Sequence, residues 1–171
     1  TYYFCTVFKP TGDFIDEFTA PNIDAKEAAM KNFEKDIWTI AGVSGEDPSS
    51  AAKNIIDNAV ETVWHAQQGT MPHWIIVDMQ SEKKFYGFHF VQAQGPGTTG
   101  YARRFTFEVS SDNKNWTVIS EDRFKANSHK QTFKFKEPVV SRYFKISILD
   151  NHNTTTSTQI AEVDLFNDLN V

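Results

Sequence analysis

One cysteine in 171 residues, Cys5, leaves this chain no internal disulfide. It also removes Cys–His nucleophilic catalysis from a chain whose other motifs lie far downstream of it. No apolar run approaches the 18 or so residues that a membrane-spanning helix needs. Positive charge is in deficit, with 17 Lys and Arg against 22 Asp and Glu and a net charge of −5. Lys83-Lys84 and Arg103-Arg104 are the only tight basic pairs. A phosphate backbone is held by clustered cations, so the composition argues against nucleic acid. Gly-x-Ser-x-Gly, His-Glu-x-x-His and phosphate-cradling glycine loops are all missing, so no familiar catalytic constellation is present. No leader peptide is visible at Thr1, and the reading is of a processed chain or an excised piece.

What is present is apolar and aromatic: 40% hydrophobic residues with 15 Phe, ample for one core. Residues 1–9 read as a strand by their aromatic and β-branched content. Pro10, Gly12 and Pro21 then interrupt the chain, and Asp24 opens a short expected helix to about Lys35 with Ala25, Ala28, Ala29 and Phe33 as its stripe. From Trp38 onward short alternating runs take over. Trp74–Val77 and Phe85–Val91 are continuous apolar strands. Phe105, Phe107 and Val109 alternate with Thr106 and Glu108, as Phe144, Ile146 and Ile148 do with Lys145 and Ser147. Asp112–Asn115 reads as a hairpin turn, and Ile160–Phe166 closes the pattern. Many short strands with polar connections predict an all-β sandwich. Residues 1–37 are expected to be an N-terminal extension and 38–171 the domain.

Two segments stand out chemically. Between Asn54 and Thr62, turn formers surround the Asp57 carboxylate, as in a loop that folds its carbonyls around a hard cation. A second donor is then needed, and Ala161-Glu162 is the candidate. The competing reading is a plain turn in which Asp57 bonds nearby amides. A polar, glycine-rich connection at 92–100 and one made wholly of hydrogen-bonding residues at 150–158 are where function sits on a β scaffold. Trp64, Trp74 and Trp116 begin strands in apolar surroundings and are read as core.

Six stretches in order carry a resemblance: Asn54-Ile55-Ile56-Asp57, Thr62-Val63-Trp64-His65, Pro72 to Asp78, Phe107 to Trp116, Arg142 to Ile146 and Ala161 to Leu165. Together they resemble the discoidin family, the coagulation factor 5/8 type C domains, and most of all its family 32 carbohydrate-binding modules. The resemblance implies a jelly-roll sandwich of galactose-binding-like type over residues 38–166. It implies a structural calcium held by Asn54, Asp57, Ala59, Thr62, Ala161 and Glu162. It departs from the family at Asn58-Ala59, where a glycine is common, although Asn tolerates left-handed backbone. Calcium joining the early loop to the last strand would take the place of the disulfide found in some relatives.

By the same resemblance the chain is a non-catalytic module for terminal galactose, N-acetylgalactosamine or N-acetylglucosamine, appended to a glycoside hydrolase such as a hexosaminidase or chitobiase. A glycan ligand is then the partner, with no nucleic acid and no membrane insertion. The chain is expected to act as a monomer within a larger multidomain protein, in an extracellular, periplasmic or cell-surface setting. Arg103 is the first candidate for sugar contact and Tyr101 the nearest aromatic platform, with His65, Gln92, Asn151 and Asn153 as further candidates. Relatives that insert into membranes do so through apolar loop tips; Ser44–Ala52 here is acidic and lacks one. The alternative is a discoidin-type adhesion module that binds protein.

Overall fold

The computed structural model describes residues 30–66, 69–95, 97, 99–153 and 156–168. The strand expected over 1–9, Cys5 and the start of the expected helix lie outside them. Eight strands and one 3-10 turn follow in order: β1 (Met30–Asn32), β2 (Thr39–Val43), η1 (Ala52–Ile56), β3 (Trp64–Ala66), β4 (His73–Gln92), β5 (Ala102–Ser110), β6 (Thr117–Arg123), β7 (Gln131–Asn151) and β8 (Thr158–Asp168).

Two long strands organise the sandwich. The apolar runs read separately at 74–77 and 85–91 are the two halves of β4, joined where Gln80 takes a positive φ. The first half of β4 pairs with the second half of β7, from His73↔Ile148 to Asp78↔Tyr143. The second half of β4 pairs with the first half of β7, as far as Phe90↔Gln131. Both strands therefore turn from one layer into the other, as corner strands of packed sheets do. β2, β5 and β6 extend one layer, and β8 extends the other with β1 and β3 on it. All named pairings are antiparallel.

The alternation read from the sequence falls as expected in β5 and β7. Phe105, Phe107, Val109, Phe144, Ile146 and Ile148 are buried. Phe88 sits at the centre, stacked on Phe107 at 4.7 Å and on Phe133 at 5.0 Å, with the edge of Phe105 at 5.5 Å. A fully buried ring of this kind is worth about 2–3 kcal/mol in area alone.

The N-terminal expectation changes at one place, and the reading of two tryptophans with it. Met30–Asn32 is a strand, paired Met30↔Asp168 to Asn32↔Phe166, where a helix was expected. An open edge of β8 offers the backbone a ladder, and that outweighs local helix propensity. Phe33 N continues the contact to Leu165 O, Lys35 is buried, and Trp38 packs edge-on against Phe144. Residues 30–37 thus pack on the sandwich. Trp64 is fully buried as read, whereas Trp74 and Trp116 are only half-buried. Those two lie on the outer face of the layer, where Lys145 Nζ stands 5.7 Å over the Trp116 ring.

Register gathers the connections at one end. His73 faces Ile148, Ala102 faces Asn151, Arg104 faces Arg123, Phe90 faces Gln131 and Ala66 faces Thr158. The loops after β2, β3, β4, β6 and β7 all emerge beside those pairs.

Candidate functional site at the loop end

His65, the middle residue of β3, is held by its backbone: its N donates to Ser50 O and its O accepts from Asp47 N. That leaves the half-buried imidazole at the surface, with Nε2 2.7 Å from Ser157 Oγ. Beside it, Asp47 accepts from Ser49 N and Oγ, and those bonds hold its carboxyl below the usual range. Behind it, His73 is buried, with Nδ1 2.9 Å from Thr158 Oγ1 and Nε2 without a partner. Thr158 Oγ1 donates to Asn151 Oδ1, and Asn151 Nδ2 donates to Ser157 O. A continuous polar network therefore ties β3, β4 and both ends of the β7–β8 loop.

His73 gives this network a pH dependence. Burial first, and the neighbouring His65 second, lower its pKa below the ordinary value. The unfolded chain then binds more protons than the folded one as pH falls through the ordinary histidine value of about 6.5. The stability involved is complete above that pH and is lost below it. The melting temperature is expected to fall between pH 7.5 and 5.5, and less so in His73→Gln; equal slopes for the two proteins would remove His73 as the cause.

On the other flank, Arg103 clasps Asp150 through Nε at 2.9 Å and Nη2 at 2.6 Å. Arg104 reaches the same carboxylate through Nε at 2.7 Å, and its backbone N donates to Oδ1 at 3.1 Å. The Arg103 bond is the main reason the Asp150 carboxyl lies well below its usual range. The Arg103 side chain remains 42% exposed, so it is positioned and still available.

Several expected sugar contacts serve the loops themselves. Tyr101 is 5% exposed and donates its hydroxyl to Ala93 O, so its ring is packed inward and offers no platform. Gln92 is fully buried: Nε2 donates to Ala102 O and Oε1 accepts from Ala102 N. Both ends of that amide are used in closing the glycine-rich connection. Asn151 is buried in the network above, and Asn153 is half-buried on the β7–β8 loop. Of the expected sugar-contact residues, the loop end presents His65, Arg103 and half-buried Asn153. Asp47 and Ser49 join them, with buried Ser157 orienting His65, and nothing in their local sequence marked these three.

Beneath this end lies the expected metal loop. η1 buries Ile55 and Ile56, and Asn54 Nδ2 donates to Val63 O, which closes the loop. Asn58 has φ +64, the left-handed backbone that the Asn was read to permit. Thr62 Oγ1 lies 2.7 Å from Asp57 Oδ2 and 2.9 Å from Ala59 O. One hydroxyl proton satisfies only one of these oxygens, so three donors to a cation crowd together. Asp57 Oδ1 also accepts from Ala59 N, so the plain-turn reading is partly realised.

Glu162, buried on β8, has Oε2 without a partner. Burial pushes its carboxyl up to about 7 against the pull of Lys35, and Asp164 and Asp57 push the same way. Asp57 is therefore within electrostatic reach of it. Among the described residues no three His, Cys, Asp or Glu converge as a metal cluster. Two carboxylates with a hydroxyl and carbonyls suit a hard, oxygen-seeking ion and no other. Lys35, unforeseen, sits on the far side: Nζ donates to Glu162 Oε1, pairs with Asp164 Oδ1 at 2.6 Å and reaches Val163 O at 3.3 Å.

The F5/8 type C domain family model matches residues 39–163. The fold is shared with the family 32 carbohydrate-binding module of Clostridium perfringens NanJ, solved in complex with galactose: TM-score 0.72, 18% identity, 81% of this chain and 99% of that one. It is shared equally with the C-terminal domain of a Bacteroides fragilis chitobiase: TM-score 0.72, 26% identity, 82% and 100%. In sequence the chain is 30% identical over 101 residues to lactadherin of Rattus norvegicus, 54% of this chain and 23% of that protein. It is 34% identical over 89 residues to coagulation factor V of Sus scrofa, 47% of this chain and 4% of that protein. The chain thus spans under a quarter of the length of these curated relatives.

Proposed function

The chain belongs to the F5/8 type C domain family, whose members are non-catalytic binding modules, and we propose that it binds terminal sugars at the loop end over a structural calcium. The sugars are of the galactose, N-acetylgalactosamine or N-acetylglucosamine type. The observation that carries this reading is the polar loop end, where exposed Arg103 is oriented by half-buried Asp150 and half-buried His65 by buried Ser157. Directional donors on fixed geometry suit sugar hydroxyls. Neighbouring structures of the same fold hold galactose and an N-acetylgalactosamine-galactose disaccharide. The exposed large apolar residues, Ile37, Val60, Val118 and Val140, make no spike on the 44–51 loop, which speaks against membrane insertion there. The parent protein is read as a secreted or surface glycoside hydrolase, on the likeness to a chitobiase C-terminal domain.

Calcium is assigned to Asp57, Thr62, Glu162 and the carbonyls of Asn54, Ala59 and Ala161. The support is the orphaned Glu162 Oε2 and the crowding of oxygens around Thr62. Its role is structural, because it joins a loop to the last strand.

A glycan array with the isolated chain tests the sugar reading. The affinity should be weak, about 10 μM to 1 mM, because an open loop site buries little of a monosaccharide. Arg103→Ala and His65→Ala should each reduce it at least about tenfold with the melting temperature preserved. The second reading is a protein-binding adhesion module of discoidin type, within the family that the chain's model match gives. An empty array together with capture of one cell-surface protein would establish that reading in place of the first.

A further inference from the structure

The edge of the β5–β6–β7 layer carries cations that the sugar site does not use. Arg104 and Arg123 are direct cross-strand partners. Like charges placed opposite each other cost stability in a sheet. Arg104 shares Asp150 with Arg103, so one carboxylate serves two guanidiniums. Arg123, Lys125 and Lys130 are exposed, and none forms an ion pair among the described residues. With His129 these three line a cleft of about 560 Å³ whose wall includes one acid, Asp122. A second hollow of about 340 Å³ meets it at Arg123 and adds Arg104, with Glu121 and Asp122 as its acids. In a chain of net charge −5 this accumulation runs against the whole.

The backbone that presents these cations is fixed. Gln131, buried, accepts from Lys125 N at 2.7 Å and donates to Lys125 O at 3.1 Å. Gln92 Nε2 reaches the same carbonyl, Gln94 Nε2 donates to Ser128 O, and Asn127 Oδ1 accepts from His129 N. Four side-chain amides thus hold a loop whose cations form no ion pair among the described residues. Such preorganisation lowers the entropic cost of binding an anion.

We propose that this cleft binds the carboxylate or sulfate groups of an acidic saccharide, as a second contact area beside the loop end. The ligand class rests on the carbohydrate reading above; the anion selectivity does not. The cleft is short, and Asp122 and Glu121 would repel a continuous run of phosphates. Asn127 and Thr132 on its wall offer hydrogen bonds to hydroxyls.

The test is calorimetry of the chain with three oligosaccharides of equal length: a galacturonate, a sulfated galactan and a neutral galactan, each in low and physiological salt. At least one acidic probe should bind about tenfold or more tighter than the neutral one, with an advantage that shrinks as salt rises. Comparing the two acidic probes distinguishes carboxylate from sulfate. The triple variant Arg123→Ala, Lys125→Ala, Lys130→Ala should erase the acidic advantage and leave neutral binding unchanged. Gln131→Ala, which removes no charge, should weaken acidic binding several-fold. Equal titration of acidic and neutral probes, or a triple variant that keeps the preference, would overturn the proposal. So would single-stranded DNA or phosphatidylserine vesicles binding as tightly through the same three residues. Loss of neutral binding alone would sink the galactose reading and leave the acidic cleft supported.

Discussion

EDTA is expected to lower the melting temperature of this chain by roughly 5–10 °C, and calcium to restore it. An ion that binds only the folded chain stabilises it by about 2.7 kcal/mol at a hundredfold excess over Kd. In a domain of this size each kcal/mol moves the midpoint by about 2–4 °C. The donors come from both ends of the domain, Asp57 and Thr62 after η1 and Glu162 on β8, so the ion closes a loop of about a hundred residues. Glu162 Oε2 is buried without a partner among the described residues, and a proton on Thr62 serves only one of two oxygens. Asp57→Ala should abolish the response to calcium. Magnesium should restore less, because it demands a small octahedral shell that a loop of carbonyls supplies poorly. A melting curve indifferent to EDTA, with no metal by elemental analysis, would reduce Asp57 to the turn residue that its bond to Ala59 N already makes it.

Lys35→Ala should cost about 3–5 kcal/mol, the usual penalty for removing one partner of a buried ion pair. The Lys35 side chain is 1% exposed, and its ammonium serves Glu162, Asp164 and the Val163 carbonyl. Truncation leaves buried Glu162 and part-buried Asp164 without their shared cation and detaches the segment that follows β1. Hydrogen exchange in Met30–Asn32 should therefore accelerate. Compared in EDTA, so that the loss of Glu162 as a calcium ligand does not enter, Lys35→Met combined with Glu162→Gln and Asp164→Asn should recover much of the loss, because well-packed neutral groups replace such triads at little cost. Calcium should soften the single variant, since it neutralises Glu162 from the opposite oxygen. Single and triple variants of equal stability would show that the charge itself contributes nothing.

Much of the strand pattern was legible because alternation is a local property. Phe105, Phe107 and Val109 face the core as read, and Asp112 closes its hairpin by accepting from Lys114 N and Asn115 N. Asn58 was legible too, since backbone tolerance belongs to the residue type. Tyr101 misled the reading: an aromatic after a glycine-rich loop looks exposed until the Ala93 carbonyl is found to take its hydroxyl. Gln92 looked like a free amide, and both its ends bind one residue, Ala102.

By itself the sequence determined the all-β class and the inward faces of β5 and β7, which follow from residue type and spacing along short stretches. The family was legible from six such stretches standing in the right order. Only the tertiary structure decided that β4 and β7 each serve two layers, that Trp74 and Trp116 lie half outside, and that His65 meets Ser157. It also decided that Lys35 reaches Glu162, 127 residues away, from a segment whose local propensity is helical. Burial and pairing at such separations depend on which edges and faces remain to be covered. That is a property of the assembled sandwich and of no single stretch within it.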